Sequence, residues 1–434
     1  MKDILKDILV ENSTKKLKNL HTRQTALVER LAKIQALIGP RRVGKTSVLL
    51  LAMESLRKQG IAANKILYFN FEDERVQLKQ HELDLLLQAW RELHPATDLA
   101  DCYFFFDEVQ AVEGWEKFLN RINESISSSI VFTGSNSAVL HTNIKSVMRG
   151  RSVAVELLPL SFSEYCVFGN ISPEFYGPEH SKSIAAFYQW LQQGGYPETV
   201  GLPSILQTGY LQEYYNAMLL RDIVEYNKVS NYSYLRSLYR HAATTVGKAV
   251  SVQRLYNTLK NQQYSVGKNS VYEAMNIAEN AYLFKRTSRF DYSALKRDNS
   301  DKKIYWIDNG LLNAQTMQFT GQKGLLLENA VFWELYRRFG TVYNNNIYYA
   351  AQAGWECDFI VFVEGGTPLP VQVCLTLNDI NTRQREINGV VKACRQYNLI
   401  EGWIITAEEE SSIQEQGISI HVKAAWKWML EKES

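Results

Sequence analysis

Residues 39–46 read Gly39-Pro40-Arg41-Arg42-Val43-Gly44-Lys45-Thr46, a full G-x-x-x-x-G-K-[ST] pattern, with Ser47 directly behind it. Glycines at both ends let the backbone curl so that successive N–H groups face one point. A following helix adds the positive end of its dipole there, and the ligand that suits such a cradle is a phosphate. In that arrangement Lys45 meets the β- and γ-phosphates and Thr46 ligates Mg2+. Further on, the apolar run Tyr103-Phe104-Phe105-Phe106 ends in Asp107-Glu108. Asp107 can join Thr46 in holding the metal, and Glu108, facing another way, can polarise the water that attacks the γ-phosphate. The chemistry these residues imply is binding and hydrolysis of ATP, with ATP and Mg2+ as cofactors.

Such groups need a scaffold that brings strand ends together. Ala36, Leu37 and Ile38 form an apolar run before the loop, and 47–56 follows with helical spacing. Apolar strand candidates at 35–38, 66–71, 103–106, 130–133 and 152–158 alternate with helix-like segments, the rhythm of an α/β fold built on a three-layer parallel sheet. Ligands of such sheets sit at the carboxyl ends of the strands. Residues 1–33 carry apolar positions at helical spacing and read as a lead-in helix, bearing Arg23, that covers the nucleotide site. The fourth strand ends in Thr133-Gly134-Ser135-Asn136. Thr133, Ser135 and Asn136 either sense the γ-phosphate and position water or simply make a Ser/Gly turn. Arg149 and Arg151, in Met148-Arg149-Gly150-Arg151, either stabilise transition-state charge, within the chain or on a neighbouring subunit, or form surface ion pairs.

With 434 residues the chain exceeds one compact core, and roughly two to four domains are expected. Apolar residues make up 46% and charged residues 22%, which excludes general disorder, and 24 tyrosines point to aromatic packing. A net charge of +2 gives no global attraction to nucleic acid, so a basic surface would have to be local. Five cysteines without C-x-x-C spacing suit neither a disulfide framework nor a zinc cluster and read as buried thiols. The charge-interrupted start Met-Lys-Asp-Ile-Leu-Lys-Asp lacks a signal-peptide core, and no stretch is long enough to span a bilayer. These features point to the cytoplasm and to no membrane partner.

Residues 160–230 read as helices broken at Gly194-Gly195-Tyr196-Pro197. Helices at 251–261 and 269–281, the second N-capped by Asn269 or Ser270, form a helix-turn-helix unit with a hairpin-like wing at 282–307. Across 285–303 seven Lys/Arg face three Asp, the chain's best candidate footprint for DNA. The competing reading is a protein-contact module with a solvated basic loop. Beyond it a helix at 324–339, strands at 347–350, 355–363 and 370–376, a helix at 382–397, strands at 402–405 and 418–420 and a last helix at 422–431 suit a separate α/β domain.

With these pieces placed, the chain resembles bacterial and archaeal AAA+-class ATP-binding proteins that join a P-loop core to a winged helix and a restriction-endonuclease-like C-terminal domain. The marks are the 39–46 loop, Y-F-N-F-E-D-E-R (68–75), F-F-D-E-V-Q-A-V-E-G-W (105–115), F-T-G-S-N-S (132–137), R-G-R (149–151), L-P-L-S-F-S-E-Y (158–165) and G-G-Y-P-E (194–198). L-R-D-I-V-E (220–225), I-Y-W-I-D-N-G-L-L (304–312), L-E-N (327–329) and E-C-D-F (356–359) continue the likeness. The resemblance implies a core at 1–160, a helical region at 161–235, a winged helix at 236–310 and a nuclease-like domain at 311–434. It carries the nucleotide roles onto Lys45, Thr46, Asp107 and Glu108. Nucleases of that type pair an Asp with a Glu/Asp-x-Lys on the next strand; here Asp358 is followed by Gln372-Val373-Cys374. Glu328 and Glu356 are nearby in the pattern, and a lysine from elsewhere, such as Lys392, would be needed to rebuild the site. The expectation is therefore an Mg2+-dependent ATPase acting as a switch or motor, with DNA, a protein or a second copy of the chain as candidate partners and without nuclease activity. The alternatives are an ATP-regulated binding module without turnover, or a nuclease.

Overall fold

Five strands carry the N-terminal unit: β1 (Ile34–Ile38), β2 (Ile66–Asn70), β3 (Tyr103–Asp107), β4 (Ile130–Gly134) and β5 (Ser152–Glu156). The computed structural model describes the chain except residues 15–19, 26, 28–32, 135–151, 317–322, 341–345, 364–365 and 432–434. The strands lie in the order β2-β3-β4-β1-β5, all parallel. β1, β3 and β4 are buried along their whole length. Strands covered on both faces must be near-continuously apolar, which is why Phe104, Phe105 and Phe106 run together. This unit spans 1–158 together with residues 280–282.

The N-terminal helix corrects one expectation. It runs over Lys2–Thr14 and buries Leu5, Ile8 and Leu9, a stripe at i, i+3 and i+4, against the helix Asp84–Leu93 and β2. It therefore braces the sheet instead of covering the phosphate loop, and Arg23 lies beyond its end.

Residues 159–279 and 283–434 form a second unit, so the expected divisions near 235 and 310 fall inside it. Helices Phe162–Phe168, His180–Gln193 and Ser204–Ala217 lead into a π-helical stretch, Met218–Glu225. The glycine break at 194–195 proves to be a knot. The buried Asp308 carboxylate accepts the Gly195 N–H at 2.6 Å and caps the following helix through Leu311 N at 2.8 Å. Burial pushes Asp308 up to about 6 against those hydrogen bonds. Asn309 donates to Leu191 O and Leu326 O, and Asn329 donates to Asn309 Oδ1, each at 2.9 Å. A Cβ on Gly310 would lie 1.9 Å from Gln193 O, so only glycine fits there.

Helices Leu235–Thr244, Val252–Asn261 and Lys268–Asn280 pack with a small antiparallel sheet of β6 (Ala249–Val250), β7 (Phe284–Ser288) and β8 (Lys302–Trp306), ordered β6-β8-β7. The third helix starts at Lys268, ahead of the expected caps Asn269 and Ser270. Five of the seven cations of the basic stretch have partners within the unit. Lys303 is fully buried, the Lys285 ammonium lies 4.3 Å from the Tyr336 ring centre, and Arg286 pairs with Glu279 at 2.7 Å. Lys302 donates to Ser288 Oγ at 2.9 Å and Arg297 donates to Asp291 O at 2.7 Å. Arg289 and Lys296 are exposed. Of the seven cations only Lys303 is buried, so the run 285–303 combines internal wiring for β7 and β8 with cations still open to solvent.

A six-stranded sheet completes the unit: β9 (Ile347–Gln352), β10 (Trp355–Phe362), β11 (Pro368–Val373), β12 (Glu401–Thr406), β13 (Ser411–Glu415) and β14 (Ile418–Ala424), in the order β13-β14-β12-β11-β10-β9. Helix Ile380–Tyr397 packs against it, and helix Lys323–Phe339 precedes it. The expected helix at 422–431 shrinks to Ala425–Trp428, because Ile418, Ile420, Val422 and Ala424 alternate inward with the period of a strand paired to β12. The polar edge strand β13 escaped sequence reading because its apolar pattern is nearly empty.

Candidate functional site

At the carboxyl end of β1 the chain turns sharply, and the two glycines of the loop make that turn feasible. Gly39 adopts φ +152, and a Cβ there would lie 2.1 Å from Leu157 O; Gly44 adopts φ +95 at the start of the helix Lys45–Lys58. The loop is tied down from outside. Arg23 donates to Val43 O at 2.7 Å and to Leu158 O at 2.6 Å, fastening the loop to the segment after β5. Sequence reading picked out Arg23 but not this anchoring.

Lys45 is buried, its ammonium donating to Gly39 O at 3.1 Å and Pro40 O at 3.0 Å, and it lies 3.6 Å from Glu108 Oε1. Thr46 Oγ1 donates to Asp107 Oδ2 at 2.7 Å, and the Tyr68 hydroxyl, from β2, donates to the same oxygen at 3.1 Å. The other Asp107 oxygen accepts from the Thr133 hydroxyl, which in turn accepts the Glu108 N–H at 2.8 Å. Glu108 sits at φ +49, a left-handed turn that sends its carboxylate away from that of Asp107, and Gln110 Nε2 holds Glu108 Oε2 at 2.5 Å. Arg41 faces Glu72 at 3.5 Å, while Arg42 is exposed with φ +66. The structure thus brings Lys45, Thr46, Asp107, Glu108 and Thr133 together. Ser135, Asn136, Arg149 and Arg151 lie outside the described residues.

The two carboxylates are tuned apart. Burial lifts the Asp107 carboxyl above its ordinary range against the hydrogen bonds from Thr133 and Thr46. Burial acts on Glu108 in the same sense, but Lys45, Gln110 and Arg41 outweigh it and hold that carboxyl below its ordinary range. Glu108 is therefore an anion at neutral pH, able to orient water and draw on its proton. Among the described residues no group of three or more His, Cys, Asp or Glu side chains is placed to hold a metal by itself. Thr46 and Asp107 supply two hard oxygens, a set that suits Mg2+, which keeps several waters and takes phosphate oxygens as further ligands.

Thr133 emerges as a spacer for both carboxylates. Its hydroxyl is fully buried and bonded to Asp107 and to the Glu108 backbone, which makes it a candidate positioning residue. Thr133→Val keeps the shape and strands both partners, at roughly 1–3 kcal/mol for a buried orphaned group. The expected result is a kcat lowered about tenfold to a hundredfold with a smaller change in KM for ATP, and recovery in Thr133→Ser. A KM effect that outweighs the kcat effect would mark Thr133 as a phosphate contact instead. Tyr68 and Gln110 were missed as site residues, although each stands inside a motif noted above; only the fold puts their polar ends on Asp107 and Glu108.

Comparison with known proteins agrees with this part of the chain. Residues 31–166 match a family model described as an AAA domain, and residues 184–322 match a domain of unknown function, DUF8612. Protein MJ1544 of Methanocaldococcus jannaschii, described as uncharacterized, is 31% identical over 408 residues, covering 92% of this chain and 88% of that protein. An uncharacterized protein of Haemophilus influenzae is 31% identical over 310 residues, covering 70% of this chain and 74% of that one. Among solved structures, the Aeropyrum pernix ORC1 protein in complex with DNA overlaps 72% of this chain and 90% of its own, at 12% identity and a TM-score of 0.29. That overlap is too slight to carry an argument.

Proposed function

Since this chain belongs to the family that includes MJ1544 and carries an AAA domain at its N-terminal unit, we propose that it is an Mg2+-dependent ATPase whose nucleotide cycle works as a switch or motor on the C-terminal unit. One observation supports this above all: the loop helix and the end of β3 meet, with Thr46 bonded to Asp107 and Lys45 facing Glu108. Thr46 and Asp107 would hold Mg2+, which neutralises charge on the phosphates. Lys45 leaves the Gly39 and Pro40 carbonyls to meet the β- and γ-phosphates, and the loop N–H groups take the remaining oxygens. Freed of its lysine, Glu108 is left with Gln110 as its neighbour and can accept a proton from water.

The partner is the finer question. Helices 235–280 with β6, β7 and β8 suit a winged helix, and the internal partners of five of its seven cations favour a protein contact over DNA for that element. ATP turnover by the purified full-length chain, measured alone and with DNA, RNA or candidate proteins, tests both parts. Hydrolysis stimulated by one partner class supports the reading and names the class. Tight ATP binding without turnover under any condition would replace it with an ATP-regulated binding module. Arg149 and Arg151 are tested in the same assay: subunit-shared catalysis makes specific activity rise with protein concentration.

A further inference from the structure

β8 places one lysine out of solvent. Lys303 is 0% exposed, and its ammonium meets three carboxylates: Glu356 Oε1 at 2.6 Å, Asp358 Oδ1 at 3.0 Å and Glu328 Oε1 at 3.4 Å. An ammonium has three N–H donors; Asp358 and Glu328 accept two of them, and Glu356 adds an ion pair beside them. The position that a metal-dependent nuclease would fill with a carboxylate is spent as well. Gln372 accepts the Asp358 N–H at 3.1 Å and donates to Glu386 at 2.6 Å, a double role that a second carboxylate could not play. The lysine comes from β8, a strand of the small sheet, and not from Lys392.

Glu328 and Asp358 are largely withdrawn from solvent while Glu356 stays half-exposed, and a withdrawn carboxylate left unpaired costs several kcal/mol of desolvation, so the pair needs a counter-ion. We propose that Lys303 is a resident cation seated among Glu328, Glu356 and Asp358, that it makes this part of the C-terminal unit independent of divalent metal, and that removing its ammonium uncovers a divalent-cation site. The class of ion is hard and oxygen-seeking, Mg2+, Mn2+ or Ca2+, because every ligand is a carboxylate oxygen. The proposal does not depend on the ATPase reading, because all the residues involved lie in the second unit.

The test uses the full-length chain without nucleotide, stripped of metal and titrated with Mn2+ alone while the free-ion paramagnetic resonance signal is followed. Lys303→Met is expected to remove one equivalent of Mn2+ per chain at least about tenfold more tightly than the wild type, and Asp358→Asn in that background to abolish the gain. Should Lys303→Met not fold, Lys303→Met/Glu328→Gln, with one charge fewer, is expected to show the same gain at lower affinity. Equal Mn2+ uptake by wild type and variants, or failure of both variants to fold even with Mn2+, would overturn the proposal. So would Mn2+-dependent DNA cleavage by the wild type that is lost in Asp358→Ala, because Lys303 would then be working beside a metal and not in place of one.

Discussion

Glutamine at position 108 should leave ATP bound and reduce its hydrolysis by on the order of a hundredfold to ten-thousandfold, the range of a positioned general base. The amide keeps the volume of Glu108 and its contact with Gln110 but loses the negative charge that Lys45 and Gln110 stabilise. Binding should be as tight as in the wild type or tighter, because Lys45 no longer has a carboxylate to abandon on its way to the phosphates. Equilibrium nucleotide binding and single-turnover hydrolysis on the same preparation separate the two effects. Wild-type turnover in Glu108→Gln would move the role of base to another group.

Alanine at position 45 is expected to act on the other half of the cycle. Lys45 supplies the buried cation of the loop, and charge-assisted hydrogen bonds of this kind contribute about 1.5–3 kcal/mol each. Its loss also leaves the Glu108 carboxylate uncovered beside the incoming phosphates. Together these should weaken ATP binding at least about a hundredfold, with the sheet intact because Lys45 belongs to the helix after β1 and not to a strand. Calorimetric titration with ATP, beside a thermal melt to show that the protein is folded, checks this. A folded Lys45→Ala chain with unchanged affinity would remove the loop from the nucleotide site.

The five strands of the N-terminal sheet and four of its site residues were legible because each is marked by local chemistry: a glycine-bounded loop, or an apolar run closed by two carboxylates. What lay beyond reading was lateral. Nothing in the spacing of strands says that β4 lies between β1 and β3, yet that neighbourhood puts the Thr133 hydroxyl on Asp107. Charge counting at 285–303 was blind to the burial of Lys303 for a related reason. A sum over a stretch cannot see that strand alternation sends Lys303 and Tyr305 to one side, where Glu328 accepts the Tyr305 hydroxyl at 2.8 Å. The motifs G-G-Y-P, I-D-N-G and L-E-N were each visible, but that they are three parts of one hydrogen-bonded knot follows from the fold alone.

That knot sets a timetable. Gly195 and Asp308 are 113 residues apart, so the helices at 162–193 cannot be secured until a further hundred residues exist. At about 5–20 residues per second, synthesis leaves that surface open for roughly 5–20 s. During that interval Phe187, Trp190 and Tyr196, all buried in the finished protein, have only nearby rings such as Phe162 and Tyr214 to pack against. The seam between the helices at 162–193 and the segment 308–311 is therefore a late contact, one that synthesis withholds until Asp308 has been made.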